Sequence, residues 1–381
     1  MSIALLFTRG ESLKNWNDTG LLLRETLIYN ELLNNNHCNR ILWFTYGVND
    51  TNLSFSLKDK NIIHQDIFVI GMPKFFNSRF GKFVYSLLLP FIHIKHFKDI
   101  KIVMSNQMNG SISGVIAKWF YNKKFILRCG YEMYGFYSYY NTNNYFKKTF
   151  LFCYSKLSYL LSDAIILTSS NSLEYVLKKF LINKKKIFCH SNYIDTDMFY
   201  NRNNSNLSRI IYVGRISKQK NIYMLLEAIS STNIGLDIVG PGEDFNSIKD
   251  YIKKKSIDVK FFGTVPNNQL PRILNKYSIF VLPSFFEGNP KVLLEAMSCG
   301  LAVIGANSPG INNIIEHDYN GVLFNTTTVS LRDELNTLIS DANRIKRLGK
   351  NARKYAIENS SLESYTNFLS HKYKLILRNY C

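Results

Sequence analysis

The sequence predicts an α/β protein built from two successive doubly wound domains. Three observations predict it. Short apolar runs bounded by Gly, Pro and polar residues recur along the whole chain. Helical stretches separate them, an alternation that builds parallel sheets. An Asn-rich polar run after Tyr200 interrupts the alternation, which then starts again.

Ile3–Phe7 is the first strand, and Thr8 to Thr19 reads as polar and irregular. Gly20-Leu21-Leu22-Leu23-Arg24-Glu25 opens a helix that runs to about Leu33, and Ile41–Thr45 follows as a strand. Ligands bind at the C-terminal ends of such strands. The loop lacks GxGxxG, and Gly20 in it either lets the backbone approach a ligand or simply starts the helix. Further strands are expected at Asp66–Ile70, Lys101–Met104, Phe125–Arg128, Ala164–Thr168 and Ile187–Cys189. Asn171 with Glu174 has the capping-box spacing for a helix over Ser172–Phe180. After the Asn-rich linker come strands at Arg209–Val213, Leu236–Val239, Val259–Phe262, Ile279–Pro283 and Ala302–Gly305. Each of these ends in Gly or Pro, which suits close approach of a ligand to the backbone. Leu362, Tyr365, Phe368, Leu369, Tyr373 and Leu377 recur at helical spacing and predict a terminal helix over Ser361 to Arg378.

Composition narrows the partners. The 381 residues suggest two or three domains, and 46% hydrophobic residues suffice for real cores. Lys and Arg total 47 against 28 Asp and Glu, a formal charge of +19. That field favours anionic partners such as nucleic acid, acidic lipid or a phosphorylated substrate, unless it is a general basic drift with solvated runs such as Lys184-Lys186 and Lys253-Lys255. The six cysteines are scattered with no CxxC, and Cys129, Cys153, Cys189 and Cys299 sit in apolar sequence, which reads as reduced cytosolic thiols. The N-terminal apolar stretch is too short for a signal peptide. No run reaches 18 apolar residues, and the longest, Phe83 to Ile94, contains Pro90, which argues against a spanning helix. Lys82 to Lys98 and Phe146 to Leu161 mix aromatic and aliphatic residues with Lys, a pattern that fits either a membrane surface or a core helix with a basic outer face.

The stretch Phe285-Phe286-Glu287-Gly288-Asn289-Pro290-Lys291-Val292-Leu293-Leu294-Glu295 carries the chemistry. A tight turn leads from a buried strand into a helix, with Asn289 as N-cap and Pro290 at the first helical position. The N–H groups of Lys291 and Val292 then point from the positive end of the helix, where a phosphate can sit. Glu295 lies about 7.5 Å further along the axis, and side chains lean toward the N-terminus. Glu287 and Glu295 can thus face one ligand of hydroxyls, phosphates and hydroxyls. Gly214-Arg215, with Lys220 five residues on, follows a strand of the same domain and can neutralise a diphosphate. An ordinary helix with solvated glutamates and cations remains the alternative for either motif taken alone.

Together these motifs resemble the retaining glycosyltransferases of family 4 (glycosyl transferases group 1), which have the GT-B fold. The resemblance rests on Gly214-Arg215-x4-Lys220, Val239-Gly240-Pro241-Gly242, Phe262-Gly263, Pro283-Ser284, Glu287-x7-Glu295, Gly300-Leu301-Ala302-Val303-Ile304 and Asn320-Gly321, in that order. It is dense from Arg209 to Phe324 and looser over the first 170 residues; Ser170, Asn192, Asp195 and Phe199 fit the close of the first domain.

The resemblance implies two Rossmann-like domains with an interdomain cleft: residues 1–200 for the acceptor, 201–360 for the nucleotide sugar, and a helix over 361–381 crossing back to the first domain. It implies that Arg215 and Lys220, with Gly214, hold the diphosphate. Glu287 contacts donor-sugar hydroxyls, with Gly288 and Asn289 shaping its loop and Lys291 and Val292 behind it. Glu295 takes the ribose, and Phe262, Gly263 and Val265 lie near the base. Arg215, Lys220 and Glu287 are the expected catalytic residues. No metal and no cofactor is expected, the nucleotide sugar being a substrate; Asp195-Thr196-Asp197 has the letters of a metal motif but sits in the closing loop. The family often carries a His at the end of a first-domain strand, where this chain has Cys129-Gly130-Tyr131-Glu132. Gly20, Arg128 and Tyr131 are the acceptor-side candidates, together with Glu132. The implied activity is retaining, metal-independent hexosyl transfer to a glycan or lipid-linked acceptor in surface polysaccharide synthesis (lipopolysaccharide, capsule or O-antigen). It would be cytoplasmic, at the inner membrane face, with an anionic membrane surface as a further partner and no nucleic acid. The alternatives are a nucleotide-sugar epimerase or phosphorylase of the same fold, whose extra acidic pair or pyridoxal lysine is not visible, and a basic nucleic-acid-binding protein, which rests on charge alone.

Overall fold

The computed structural model describes residues 1–130, 132–140, 144–201 and 209–378. The chain divides into two compact units, Met1–His190 with Tyr365–Cys381, and Ser191–Ser364. The first division thus falls between His190 and Ser191, ahead of the Asn-rich run, of which 202–208 lie outside the described residues.

The first unit holds seven strands: β1 (Ser2–Leu6), β2 (Arg40–Phe44), β3 (Ile67–Ile70), β4 (Ile102–Ser105), β5 (Lys124–Cys129), β6 (Ala164–Leu167) and β7 (Ile187–Cys189). Their order is β3-β2-β1-β4-β5-β6-β7 and every pairing is parallel. The central strands are continuous apolar runs such as Ile102-Val103-Met104, because a parallel sheet covered by helices buries both faces. The second unit holds β8 (Arg209–Val213), β9 (Gly235–Val239), β10 (Val259–Gly263), β11 (Ile279–Leu282), β12 (Ala302–Ala306) and β13 (Val322–Phe324). These run β10-β9-β8-β11-β12-β13, again all parallel. Each sheet therefore winds outward both ways from its first strand, the doubly wound α/β topology.

Several local expectations are corrected. Thr8 to Thr19 contains a helix, Leu13–Asp18, because the Ser12 hydroxyl caps Asn15 N–H and Leu13 and Trp16 bury an apolar side. The helix near Asn171 spans Ser170–Phe180 and is capped by Ser169, whose hydroxyl accepts from Ser172 N–H; Asn171 lies inside it. Strand β13 and the helices Thr328–Ile339 and Ala342–Ser360 had no place in the sequence prediction. Ala342–Ser360 is polar on average, yet Ile345, Leu348, Ala352 and Ala356 make a buried helical stripe. The terminal helix spans Leu362–Arg378, and from Tyr365 on it belongs to the first unit. There Arg128 stacks over the Tyr365 ring at 5.7 Å and the Tyr373 hydroxyl reaches Met104 Sδ at 3.6 Å. Lys186 is not simply solvated: its ammonium donates to the carbonyls of Tyr159, Leu160 and Ser162, at the C-terminal end of the helix Tyr145–Leu161. The cysteines described are free thiols, but Cys153 and Cys189 are exposed, contrary to their apolar sequence surroundings.

Candidate active site

The strand order of the second sheet reverses between β8 and β11, and ligands of doubly wound sheets bind outside the strand ends at that point. Gly214-Arg215 leaves the end of β8 and Pro283 to Glu287 leaves the end of β11. The two loops are tied together by backbone. Gln219 accepts from Phe285 N–H at 3.0 Å and donates from Nε2 to the Phe286 carbonyl at 2.9 Å. On the other side, Glu287 N–H donates to the Pro309 carbonyl at 2.8 Å, and the Ser308 hydroxyl to that of Ser284 at 2.8 Å.

This frame brings two predicted residues into contact. Lys220 Nζ lies 2.5 Å from Glu287 Oε1, with both side chains largely shielded. The Tyr212 hydroxyl, buried beneath them, donates to the Arg215 carbonyl at 2.9 Å. Burial and the Glu287 charge push its ionisation well above the usual phenol range, while Arg215 pulls the other way, so Arg215 and Glu287 both act on one hydroxyl. Arg215 itself is exposed.

Beyond the loop, the helix is Lys291–Ser298, with Pro290 in the cap position and no side-chain cap. Asn289 is therefore not its N-cap. Its carboxamide oxygen instead accepts from Asn192 N–H at 2.8 Å and the Ser191 hydroxyl at 3.2 Å, while Asn192 Nδ2 donates to the Asn289 carbonyl at 2.7 Å. The loop is held to the start of the unit, which outcompetes a local cap. The Lys291 ammonium lies 4.2 Å from the centre of the Tyr193 ring. Glu295 is buried at 1% exposure and accepts from Asn267 Nδ2 at 3.1 Å.

Around the predicted base position, Phe262 is exposed, Val265 packs against the core, and space lies open beside Gly263. The glycine at the β9 end is required by the chain itself. Gly240 has φ +129°, and a Cβ there would stand 2.2 Å from the Gly214 carbonyl oxygen. Asp195 likewise acts locally: its carboxylate accepts from Asp197 N–H at 3.1 Å and Met198 N–H at 2.9 Å, closing a turn. Among the described residues no group of three or more His, Cys, Asp or Glu is placed to hold a metal ion.

The first-unit candidates have structural partners. Gly20 follows the helix Leu13–Asp18 at φ +71°, with Leu21 N–H donating to the Trp16 carbonyl and Gly20 N–H to that of Asn17. This is a Schellman cap, so its place is the end of one helix and not the opening of the next. Arg128 donates to the Tyr29 hydroxyl at 3.1 Å besides stacking on Tyr365. Glu132 is buried and caps the helix Met133–Tyr140 by accepting from the N–H groups of Tyr134 and Gly135; burial raises its carboxyl above the usual range. Tyr131 lies outside the described residues.

Sequence reasoning missed Tyr212, Gln219, Asn267 and the second role of Asn192. Tyr212 left a signal, a phenol in the otherwise aliphatic strand Ile210-Ile211-Tyr212-Val213. The others are amides outside the strands and α-helices, whose partners are up to 97 residues away and leave no periodic trace.

Residues 193–355 match the family model described as glycosyl transferases group 1. An uncharacterized glycosyltransferase of Methanocaldococcus jannaschii is 26% identical over 216 residues, 51% of this chain and 61% of that protein. An Escherichia coli UDP-Gal:alpha-D-GlcNAc-diphosphoundecaprenol alpha-1,3-galactosyltransferase is 32% identical over 149 residues, 37% of this chain and 38% of that protein. The matched region thus spans less than two thirds of the length of these curated relatives. Among solved structures, Anabaena HepE in complex with UDP superposes with a TM-score of 0.76 at 16% identity, over 98% of this chain and 100% of that one. Identity that low speaks to fold alone, and the fold is GT-B.

Proposed function

We propose, from the match of residues 193–355 to the glycosyl transferases group 1 model, that this chain moves a sugar from a nucleoside-diphosphate donor to a glycan or lipid-linked acceptor with retention of anomeric configuration. The observation that carries the reading is the Lys220–Glu287 contact at the β8/β11 switch point, with Arg215 beside it.

In this reading Arg215 and Lys220 hold the diphosphate. As the bond from anomeric carbon to phosphate oxygen breaks, the leaving diphosphate gains charge, and the two cations stabilise that charge without a metal ion. Glu287 accepts from donor-sugar hydroxyls, with Gly288 and Asn289 shaping the loop. The helix start at Lys291 and Val292 faces the phosphates, Glu295 takes the ribose and Phe262, Gly263 and Val265 border the base. The acceptor hydroxyl attacks from the face the phosphate leaves, and the departing phosphate oxygen takes its proton. The E. coli relative acts, by its name, on a diphosphoundecaprenol-linked sugar, which supports a lipid-linked acceptor and a place in surface-polysaccharide assembly.

A thermal-shift screen of UDP, UDP-glucose, UDP-galactose and other nucleotide sugars tests it, since a ligand of the folded state raises its melting point. The expected result is stabilisation by one nucleotide series, abolished in Arg215→Ala. Turnover of the donor hit with a lipid-linked acceptor should then give a product of unchanged anomeric configuration by NMR, with EDTA without effect. Full transfer by both Arg215→Ala and Glu287→Ala would sink the reading.

A further inference from the structure

The helix Arg79–Ile92 is apolar on both sides. Its inward side buries Tyr85, Ser86, Leu89 and Pro90, with the Ser86 hydroxyl 2.8 Å from that of Tyr46. Its outward side carries Phe80, Phe83, Leu87 and Phe91 at helical spacing, all exposed, Phe80 to 76%. A helix facing water puts polar residues there.

The neighbouring helices expose apolar residues too. Ser111–Tyr121 ends in Trp119, 68% exposed, and Phe120. The Phe120 ring meets Phe91 edge-on at 4.9 Å, joining the two helices. Tyr145–Leu161 lies on the other side of Ser111–Tyr121, tied by the Ser111 and Ser158 hydroxyls at 2.7 Å and by Lys118 Nζ on the Leu161 carbonyl at 3.0 Å. It presents Phe146, Phe150, Leu157 and Leu160 at helical spacing, Phe146 88% exposed. An exposed apolar patch this extended marks an interaction surface.

Charge says what covers it. From Asp66 to Asp163 the intervening sequence holds 13 Lys and Arg against two acids, Asp99 and Glu132, and Glu132 is buried. Lys74, Arg79, Lys95 and Lys98 are exposed around the first helix, and Lys147 on the third. A second copy of this face would bring the same positive field and be repelled. Aromatic and aliphatic residues ringed by cations are the chemistry of helices that lie in a lipid interface, the rings at the acyl boundary and the cations at anionic headgroups. No described helix is long and apolar enough to cross a membrane. We propose that these three helices of the first unit rest on a bilayer surface rich in anionic lipid. The inference deepens the lipid-linked reading but stands on the helix faces and the charge around them.

The test is flotation of the full chain with vesicles of phosphatidylcholine, alone or mixed with phosphatidylglycerol, which reads no sugar transfer and so fails or succeeds independently of the proposed reaction. Binding to the mixed vesicles only, weakened by salt, is expected. Phe80→Ser with Leu87→Ser, and separately Lys74→Gln with Arg79→Gln and Lys95→Gln, should each cut binding about tenfold or more. Lys253→Gln with Lys254→Gln and Lys255→Gln removes the same charge from the second unit and should change binding by about twofold at most. Circular dichroism checks folding, and the charge variant carries the test if the apolar one does not fold. No binding to either vesicle, or an equal loss in the Lys253–Lys255 variant, overturns the proposal. So does a concentration-dependent dimer that the apolar variant abolishes while vesicles are ignored, since a second copy would then cover the face.

Discussion

Lys220 and Glu287 form an ion pair across the β8/β11 switch point, Nζ to Oε1 at 2.5 Å, with side-chain exposures of 16% and 9%. A pair so shielded suffers more from losing one member than from losing both, because the survivor stays desolvated without its counter-charge. Lys220→Met and Glu287→Gln should each lower the stability of the second unit by about 1–3 kcal/mol. The double variant should be more stable than the sum of the two losses. Urea unfolding of all four proteins measures the coupling, and strictly additive losses would show that the pair is a chance approach. With the donor found by thermal shift, all three variants should also lose transfer.

Gly240 gives a prediction that needs no reaction. At φ +129°, with the Gly214 carbonyl oxygen 2.2 Å from any Cβ, both the backbone conformation and the space exclude a side chain. The obstacle is backbone, which cannot swing away. Gly240→Ala should cost about 3 kcal/mol or more. Gly263→Ala, where nothing lies within 4 Å of the Cβ position, should cost only the roughly 1–2 kcal/mol of its left-handed φ of +65°. Equal midpoint shifts in urea for the two variants would refute the distinction.

The contrast between these residues shows what was legible. Strands β8 and β11 were readable because a buried parallel strand is a continuous apolar run, and the residues after them inherit a known place at the sheet's C-terminal edge. Arg215, Lys220 and Glu287 could thus be placed on one sheet edge from the strands they follow. Asn289 could not, because a carboxamide serves equally well as a local cap or a distant clamp. Here Asn192, 97 residues away, wins by offering both a donor to its oxygen and a second bond to its backbone. Gly240 has two readings for a similar reason: close approach needs glycine whether the approaching atom belongs to a ligand or to Gly214. The segment Lys82 to Lys98 left a membrane surface and a core helix both open, since periodicity fixes a stripe and not the side it turns to.

His93 sets a pH dependence. Burial, with the neighbouring His96 second, lowers it from 6.5 to about 4, and its Nε2 lies 3.0 Å from the Tyr85 hydroxyl. It sits at the C-terminus of Arg79–Ile92, where the helix end favours a cation by about 0.3–1 kcal/mol, so burial outweighs the dipole. A base whose folded value is depressed contributes stability above its unfolded value of 6.5, and that stability is lost as pH falls toward about 4. Allowing for its partial exposure, the loss is about 1–2 kcal/mol. His93→Gln removes the titration, so between pH 7 and 4.5 the wild type should lose that much more stability than the variant. Parallel urea midpoints across the range would mean that the ring charges freely in the folded state.

Asn289 links stability to the site most directly. Its oxygen takes the Asn192 N–H and the Ser191 hydroxyl, and its own carbonyl takes Asn192 Nδ2. The side chain is buried, so Asn289→Ala strands a backbone N–H and should cost about 1–3 kcal/mol. Asn289→Asp keeps the acceptor oxygens and should recover part of that loss, because Asn192 N–H and the Ser191 hydroxyl both donate. The Glu287 backbone keeps its own tie to Pro309 in both variants. Glu287 should therefore stay near Lys220, and donor-induced melting shifts should fall by less than in Glu287→Ala. If Asn289→Ala instead abolishes donor stabilisation while its urea midpoint is unchanged, Asn289 is a direct ligand contact and its clamp on Asn192 is incidental.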